Sequence, residues 1–299
     1  MRRTNLYTVD GALGLGVTGR RSPDLRLEVA SGRRLLLRQR HRPVLFGRAH
    51  HGNHGMHVYR TGDYVSPLPP LRADDAGRTG PSGGAAWHDR WAHRFASWLY
   101  DADAGPLHDG RWALGPRRLP PYCLRGDLTR DYPAAYLDWL GVGWNGVLPL
   151  RRLPGADAAR VKAYRRQARE RVLPPILLWS VSAFDGYLLL DGHCRLVAAL
   201  AEEVDPAVLV LSLVADPEVE RNDPTAAHAA LTDRVIAQAA RSGADPLRAA
   251  EALAHRFAKA CAAQPEEGRT RAWPVRGGAP AWEQQVASAA GAWATTVRG

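Results

Sequence analysis

Asp191, Gly192, His193, Cys194 and Arg195 form the stretch with the most potential chemistry in this chain. They follow the apolar run Leu188-Leu189-Leu190 and precede Leu196. A buried strand that turns through Asp-Gly directly into a helix brings these side chains to the helix's first turn. The unpaired N–H groups of that turn, with the positive end of the helix dipole, attract anions. Arg195 adds a guanidinium that can hold a phosphate or carboxylate through two parallel hydrogen bonds. Gly192 lets the backbone approach a phosphate without a Cβ in the way. His193 can donate to phosphate oxygens or move a proton. Asp191 can orient His193, hold magnesium through water, or take a proton from an acceptor hydroxyl. Cys194, near a helix N-terminus, is expected to gain thiolate character.

Asp191 and His193 are thus the candidate catalytic residues. Gly192, His193, Cys194 and Arg195 are the candidate ligand contacts, and no protein-held metal is expected. Each residue also has a structural reading. These are a tight turn at Gly192, a backbone-bonded histidine, a helix cap at Asp191, and a small buried thiol. For Arg195 it is an ion pair with Glu202, Glu203 or another acid.

The elements that must carry this turn follow from periodicity. Residues 147–150 read as a short strand. Residues 157–171 read as a helix with Val161, Tyr164, Ala168 and Val172 on one face, capped by Asp157 and stopped by Pro174-Pro175. Residues 176–181 form a buried strand, Phe184-Asp185-Gly186 turns the chain, and 187–190 return as a hairpin. A helix over 193–203 and an apolar strand over 208–214 complete a β-α-β-β-α-β unit.

Upstream, 25–29, 33–39, 43–46 and 56–59 read as strands. Residues 66–85, rich in Pro, Gly and Ser, read as a linker or long surface loop. Trp87, Trp91, Phe95 and Trp98 mark the core face of a helix, and 105–121 reads as irregular. Downstream, 224–241 and 246–263 read as a helical hairpin, and a stretch with Trp273, Trp282 and Trp293 as a helix plus tail. The expected fold class is α/β, divided into a basic β-rich region (1–75), a Trp-rich helix and connection (76–145), the compact module (146–216) and a helical region (217–299).

The segment from Val147 to Val214 resembles the ParB/sulfiredoxin superfamily. The resemblance rests on the opening strand near Leu150–Leu153, the helix Arg160–Arg171, Pro174-Pro175-Ile176, and Asp191-Gly192-His193-Cys194-Arg195. It covers about a quarter of the chain, and it implies a nucleotide site with phosphates at a Gly-x-x-Arg turn. ParB partition proteins bind and hydrolyse CTP there. Sulfiredoxins bind ATP and use a cysteine directly after the glycine. A free serine kinase branch carries Asp-Gly-His-Thr-Arg, the nearest spelling to this one. Here histidine stands where the sulfiredoxin cysteine would be. The kinase branch's early glutamate has no counterpart in Arg151–Asp157. The resemblance therefore implies binding of a nucleoside di- or triphosphate (ATP, ADP or CTP) with Mg²⁺, and hydrolysis or phosphoryl transfer as the associated chemistry. A DNA-associated regulator and a non-catalytic interaction module are the alternatives.

Charge bears on the DNA alternative. The net charge is +10 over 299 residues, with Lys162 and Lys259 the only lysines. Residues 1–60 carry twelve arginines against Asp10, Asp24 and Glu28, a surplus of nine. Such a region can meet phosphate backbones, or simply be a solvated surface. His50, His51, His54 and His57 make a His-rich tract able to bind zinc or nickel, but no carboxylate or cysteine sits among them. Cys123, Cys194 and Cys261 are widely spaced, which indicates neither a disulfide framework nor a zinc site. No apolar run is long enough to span a bilayer, so a cytoplasmic location without membrane association is expected. The oligomeric state is left open.

Overall fold

The computed structural model describes residues 2–5, 11–30, 33–50, 54–71, 75, 80–125, 131–139, 146–215, 237–243, 245, 248 and 270–296. Along the chain run β1 (Arg2–Asn5), β2 (Leu13–Val17), β3 (Leu25–Ala30), β4 (Arg34–Gln39), β5 (Arg42–Ala49) and β6 (Gly55–Arg60). Then come α1 (Ala85–Asp101), β7 (Gly110–Pro116), α2 (Pro121–Arg125), β8 (Ala134–Asp138), β9 (Val147–Pro149) and α3 (Ala159–Arg169). A hairpin of β10 (Ile176–Val181) and β11 (Gly186–Asp191) leads into α4 (His193–Ala201) and β12 (Val208–Ala215). Strand β13 (Ala272–Pro274) and helix α5 (Gly278–Thr296) close the described chain. The chain is α/β, built on two sheets.

One sheet has seven strands in the order β1-β2-β7-β12-β10-β11-β9, and the other has six, β13-β3-β4-β5-β6-β8. Strands β10 and β12 pair in parallel, as do β9 and β11, while β10 and β11 pair antiparallel. Both sheets gather strands from distant parts of the sequence. The strands of residues 147–215 extend through β7 into β2 and β1, and β13 joins the sheet of residues 25–60. The 146–216 segment is therefore part of a larger sheet.

The apolar patterns explain the layers. Strands β10 and β12 are almost continuously apolar because both of their faces are covered. Leu177, Trp179, Leu209 and Leu211 face a core shared with Leu27, Leu37, Leu45 and Val58 of the six-stranded sheet and with Trp87, Trp91 and Phe95 of α1. Ile176, Leu178, Val208 and Val210 face the other way, onto Leu196 of α4. Helix α3 then packs Val161, Tyr164 and Ala168 onto Ala198 and Ala199. The outer face of the six-stranded sheet presents Leu36 and Phe46, covered by Trp282, Val286 and Trp293 of α5. Each such fully buried large side chain contributes roughly 1.5–3 kcal/mol, so these rows outweigh local propensity.

Several expectations change here. Residues 110–116 form a regular strand between β2 and β12. Its Gly and Pro mask an alternation in which Trp112 and Leu114 are fully buried. Gly115 is needed because a Cβ there would lie 2.6 Å from the Ala12 Cβ. The stretch from Ser66 is no free linker where it is described, since Leu68 is buried in the shared core. Asp157 does not cap α3, whose N-cap is Ala158 without a side-chain cap. The hairpin expected over 224–263 lies, apart from 237–243, 245 and 248, outside the described residues. Among the described residues no helix is long and apolar enough to cross a membrane.

Candidate functional site

Strand β11 ends at Asp191 and α4 begins at His193, with Gly192 between them at φ 100° and ψ 20°. A Cβ at Gly192 would stand 2.8 Å from Ile176 Cγ2 and 3.0 Å from Arg195 Nη2. The glycine is therefore demanded by its left-handed backbone and by close packing on β10. Arg195 turns inward and is 3% exposed. Its Nη2 donates to Asp191 Oδ2 (2.7 Å) and to the Pro175 carbonyl (3.0 Å). The guanidinium lies 6.0 Å from the Tyr164 ring centre. Arg195 thus clamps the turn to the start of β10, pairing with Asp191. Glu202 is occupied instead by Arg165 and Arg169.

His193 is also interior, at 8% exposure. Its Nε2 accepts a hydrogen bond from the Arg151 backbone N–H at 3.3 Å, which assigns the ring proton to Nδ1. Burial pushes its pKa down to about 3, aided by the charges of Arg151 and Arg195 and opposed by Asp191. The imidazole is therefore neutral at pH 7, an Nδ1–H donor and not a cation. The linkage has a definite sign. An unfolded histidine titrates near 6.5 and binds the proton that the folded one refuses. His193 stability is accordingly complete above pH 6.5 and lost as pH falls toward 3, at up to about 1.4 kcal/mol per pH unit. The difference in unfolding free energy between the parent chain and His193→Gln, measured from pH 7 to pH 4, should shrink with that slope. A pH-independent difference would contradict the buried neutral ring.

Three residues complete the corner that sequence reasoning did not find. Tyr64 donates to the Leu190 carbonyl at 2.7 Å, and Ser66 Oγ donates to Asp191 Oδ1 at 2.7 Å. Arg151 Nε donates to the Tyr64 carbonyl at 2.9 Å. Burial and the nearby Asp191 carboxylate raise the Tyr64 pKa well above its ordinary value, so its hydroxyl stays protonated. The chain after β6 thus lies across the turn. These contacts span 87 to 126 residues of sequence, and no local pattern announces them.

What faces outward differs from what the motif suggested. No side chain caps the first turn of α4. Cys194, a half-buried free thiol, packs against the apolar cluster between α3 and α4. Two exposed arginines flank this end. Arg160 is held more firmly protonated by a hydrogen bond and charge interaction with Tyr164, then by the nearby Cys194 and Asp191. Arg151 lies close enough to His193 to depress its pKa. The Arg160 guanidinium lies 6.0 Å from the Tyr164 ring centre, and that of Arg151 lies 5.7 Å from the Tyr64 ring centre.

The corner does not fit a protein-held Mg²⁺. Both Asp191 oxygens are engaged, one by Ser66 and one by Arg195. Among the described residues no three His, Cys, Asp or Glu side chains group as metal ligands, and this includes His50, His54 and His57. His51 lies outside the described residues. Among the described residues, six of the twelve N-terminal arginines are paired, but only Glu283 and Asp63 are acids from outside residues 1–60, so the surplus of nine falls to seven. Arg26 and Arg38 share Glu28, Arg34 and Arg48 share Glu283, Arg40 meets Asp24, and Arg42 meets Asp63. Compared with known proteins, the chain matches no family model, no curated protein and no solved structure.

Proposed function

We propose that the chain binds the phosphate groups of a nucleoside di- or triphosphate, ATP, ADP or CTP, at the first turn of α4. The β-α-β-β-α-β segment is taken as a ParB/sulfiredoxin-like unit. One observation carries the reading: an uncapped helix start flanked by two exposed guanidinia, Arg151 and Arg160. Backbone amides and these arginines hold the anion. Gly192, Asp191 and Arg195 are positioning residues that fix the turn, and the buried His193 ties it to the Arg151 backbone N–H. Mg²⁺ would arrive with the nucleotide as phosphate counter-charge. The proposed setting is the cytoplasm, where Cys123 and Cys194 stay reduced.

A thermal-shift series with ATP, ADP, CTP and GTP, each with Mg²⁺, tests the reading. Ligand at a hundredfold excess over Kd stabilises by about 2.7 kcal/mol, a rise of several degrees in Tm. Arg160→Glu should remove most of that rise while leaving the ligand-free Tm nearly unchanged. Absence of a rise with all four nucleotides would overturn the proposal.

A second reading, an interaction module without catalysis, is favoured by a specific observation. Asp191 and Arg195 are bonded internally and His193 is buried, so neither an unengaged carboxylate nor a titrating imidazole is left at the corner as a general base. A DNA-associated role predicts affinity that falls steeply with salt. Salt-sensitive DNA binding with no nucleotide response would select that role.

A further inference from the structure

A cleft of about 650 Å³ opens on the six-stranded sheet, away from α4. Arg26 and Glu28 of β3 and Arg38 of β4 line one side, with Trp273 and Pro274 of β13 and the following Arg276 on another. Arg26 and Arg38 stand directly opposite each other across the antiparallel pair. Like charges in that register repel. A single carboxylate answers both, since Glu28, 4% exposed, accepts from Arg26 Nε at 2.7 Å and from Arg38 Nε at 3.0 Å. Arg38 spends its remaining nitrogens on the His41 carbonyl and on Gln285. The Arg26 Nη groups and the exposed Arg276 guanidinium have no partner among the described residues. Three guanidinia therefore line a cleft with one lining carboxylate, Glu28, which two of them share. Its volume lies within the few hundred to about 1,000 Å³ typical of small-molecule sites.

We propose that this cleft binds a small organic anion with a planar apolar body, a carboxylate or a phosphate monoester. Arg26 and Arg276 take the anionic head, Glu28 fixes the two sheet arginines, and Pro274 receives the ring with the part of Trp273 left open beside Arg271 (4.9 Å from its ring centre) and His108 (5.2 Å). The site is separate from the α4 turn, on the other sheet.

Isothermal titration with benzoate, phenyl phosphate and inorganic phosphate tests this. Saturable binding of benzoate or phenyl phosphate is expected, tighter than that of inorganic phosphate. Which of the two binds more tightly identifies the head group. Arg276→Ala, at an exposed and unpaired position, should fold normally and weaken binding by at least about tenfold, the equivalent of 1.4 kcal/mol. Arg160→Glu should leave it unchanged. No saturable binding at millimolar probe, equal binding by Arg276→Ala, or a loss caused by Arg160→Glu would each overturn the assignment.

Discussion

Arg195→Ala should lower the unfolding free energy by about 3–5 kcal/mol, because removing one partner of a buried pair leaves the other uncompensated. The alanine would strand Asp191, whose Oδ2 receives Nη2 at 2.7 Å, and would free the Pro175 carbonyl at the start of β10. The midpoint in urea should fall accordingly. Adding Asp191→Asn to an Arg195→Met background should recover part of the loss by deleting the stranded charge. A solvent-facing, ligand-contacting arginine would behave differently, since its loss would change stability by less than about 0.5 kcal/mol. A change that small would show that the clamp does not hold the turn.

Gly192→Ala should be the next most damaging change. At φ 100° an L-residue is strained, and its Cβ would press against Ile176 Cγ2 at 2.8 Å. Left-handed backbone costs roughly 1–2 kcal/mol, and forcing a methyl into a packed interior adds typically 1–3 kcal/mol. The combined loss of about 2–5 kcal/mol can be read by chemical denaturation. Val181, at the far end of the same strand, has no such constraint, and Val181→Ala should cost only its lost packing. If Gly192→Ala proves as stable as the parent chain, the turn must relax in a way the structure does not indicate.

The sequence made much of this corner legible. Strand β10 matched its expected bounds, 176–181, because its apolar run begins just after Pro174-Pro175 and ends at the turn residues before Gly186. Helix α4 began at His193 as expected, because Asp-Gly after three leucines leaves few alternatives. The aromatic stripe of α1 proved to be core at Trp87, Trp91 and Phe95. What stayed hidden was long-range. Whether Arg195 faces solvent is decided by Asp191 beside it and by Tyr64 and Ser66, more than 120 residues away. Strand β7 was hidden because alternation is hard to read across Gly110, Gly115 and Pro116. The docking of α5 depends on Trp282 donating to the Leu35 carbonyl at 2.9 Å and on Glu283 bridging Arg34 and Arg48. Neither partner lies within two hundred residues of the helix. Glu283 also answers Arg34 and Arg48 from the far end of the chain, a pairing that no local charge count reveals.

The amide resonances of residues 192–195 give the most direct test of phosphate binding at α4. In a ¹⁵N–¹H spectrum titrated with Mg²⁺-ATP, Mg²⁺-ADP or Mg²⁺-CTP, the amides of His193, Cys194 and Arg195 should shift together and saturate, and Arg160→Glu should suppress the shifts. Saturating binding that leaves those amides in place, or no binding by any of the three, would contradict a phosphate site at this helix start.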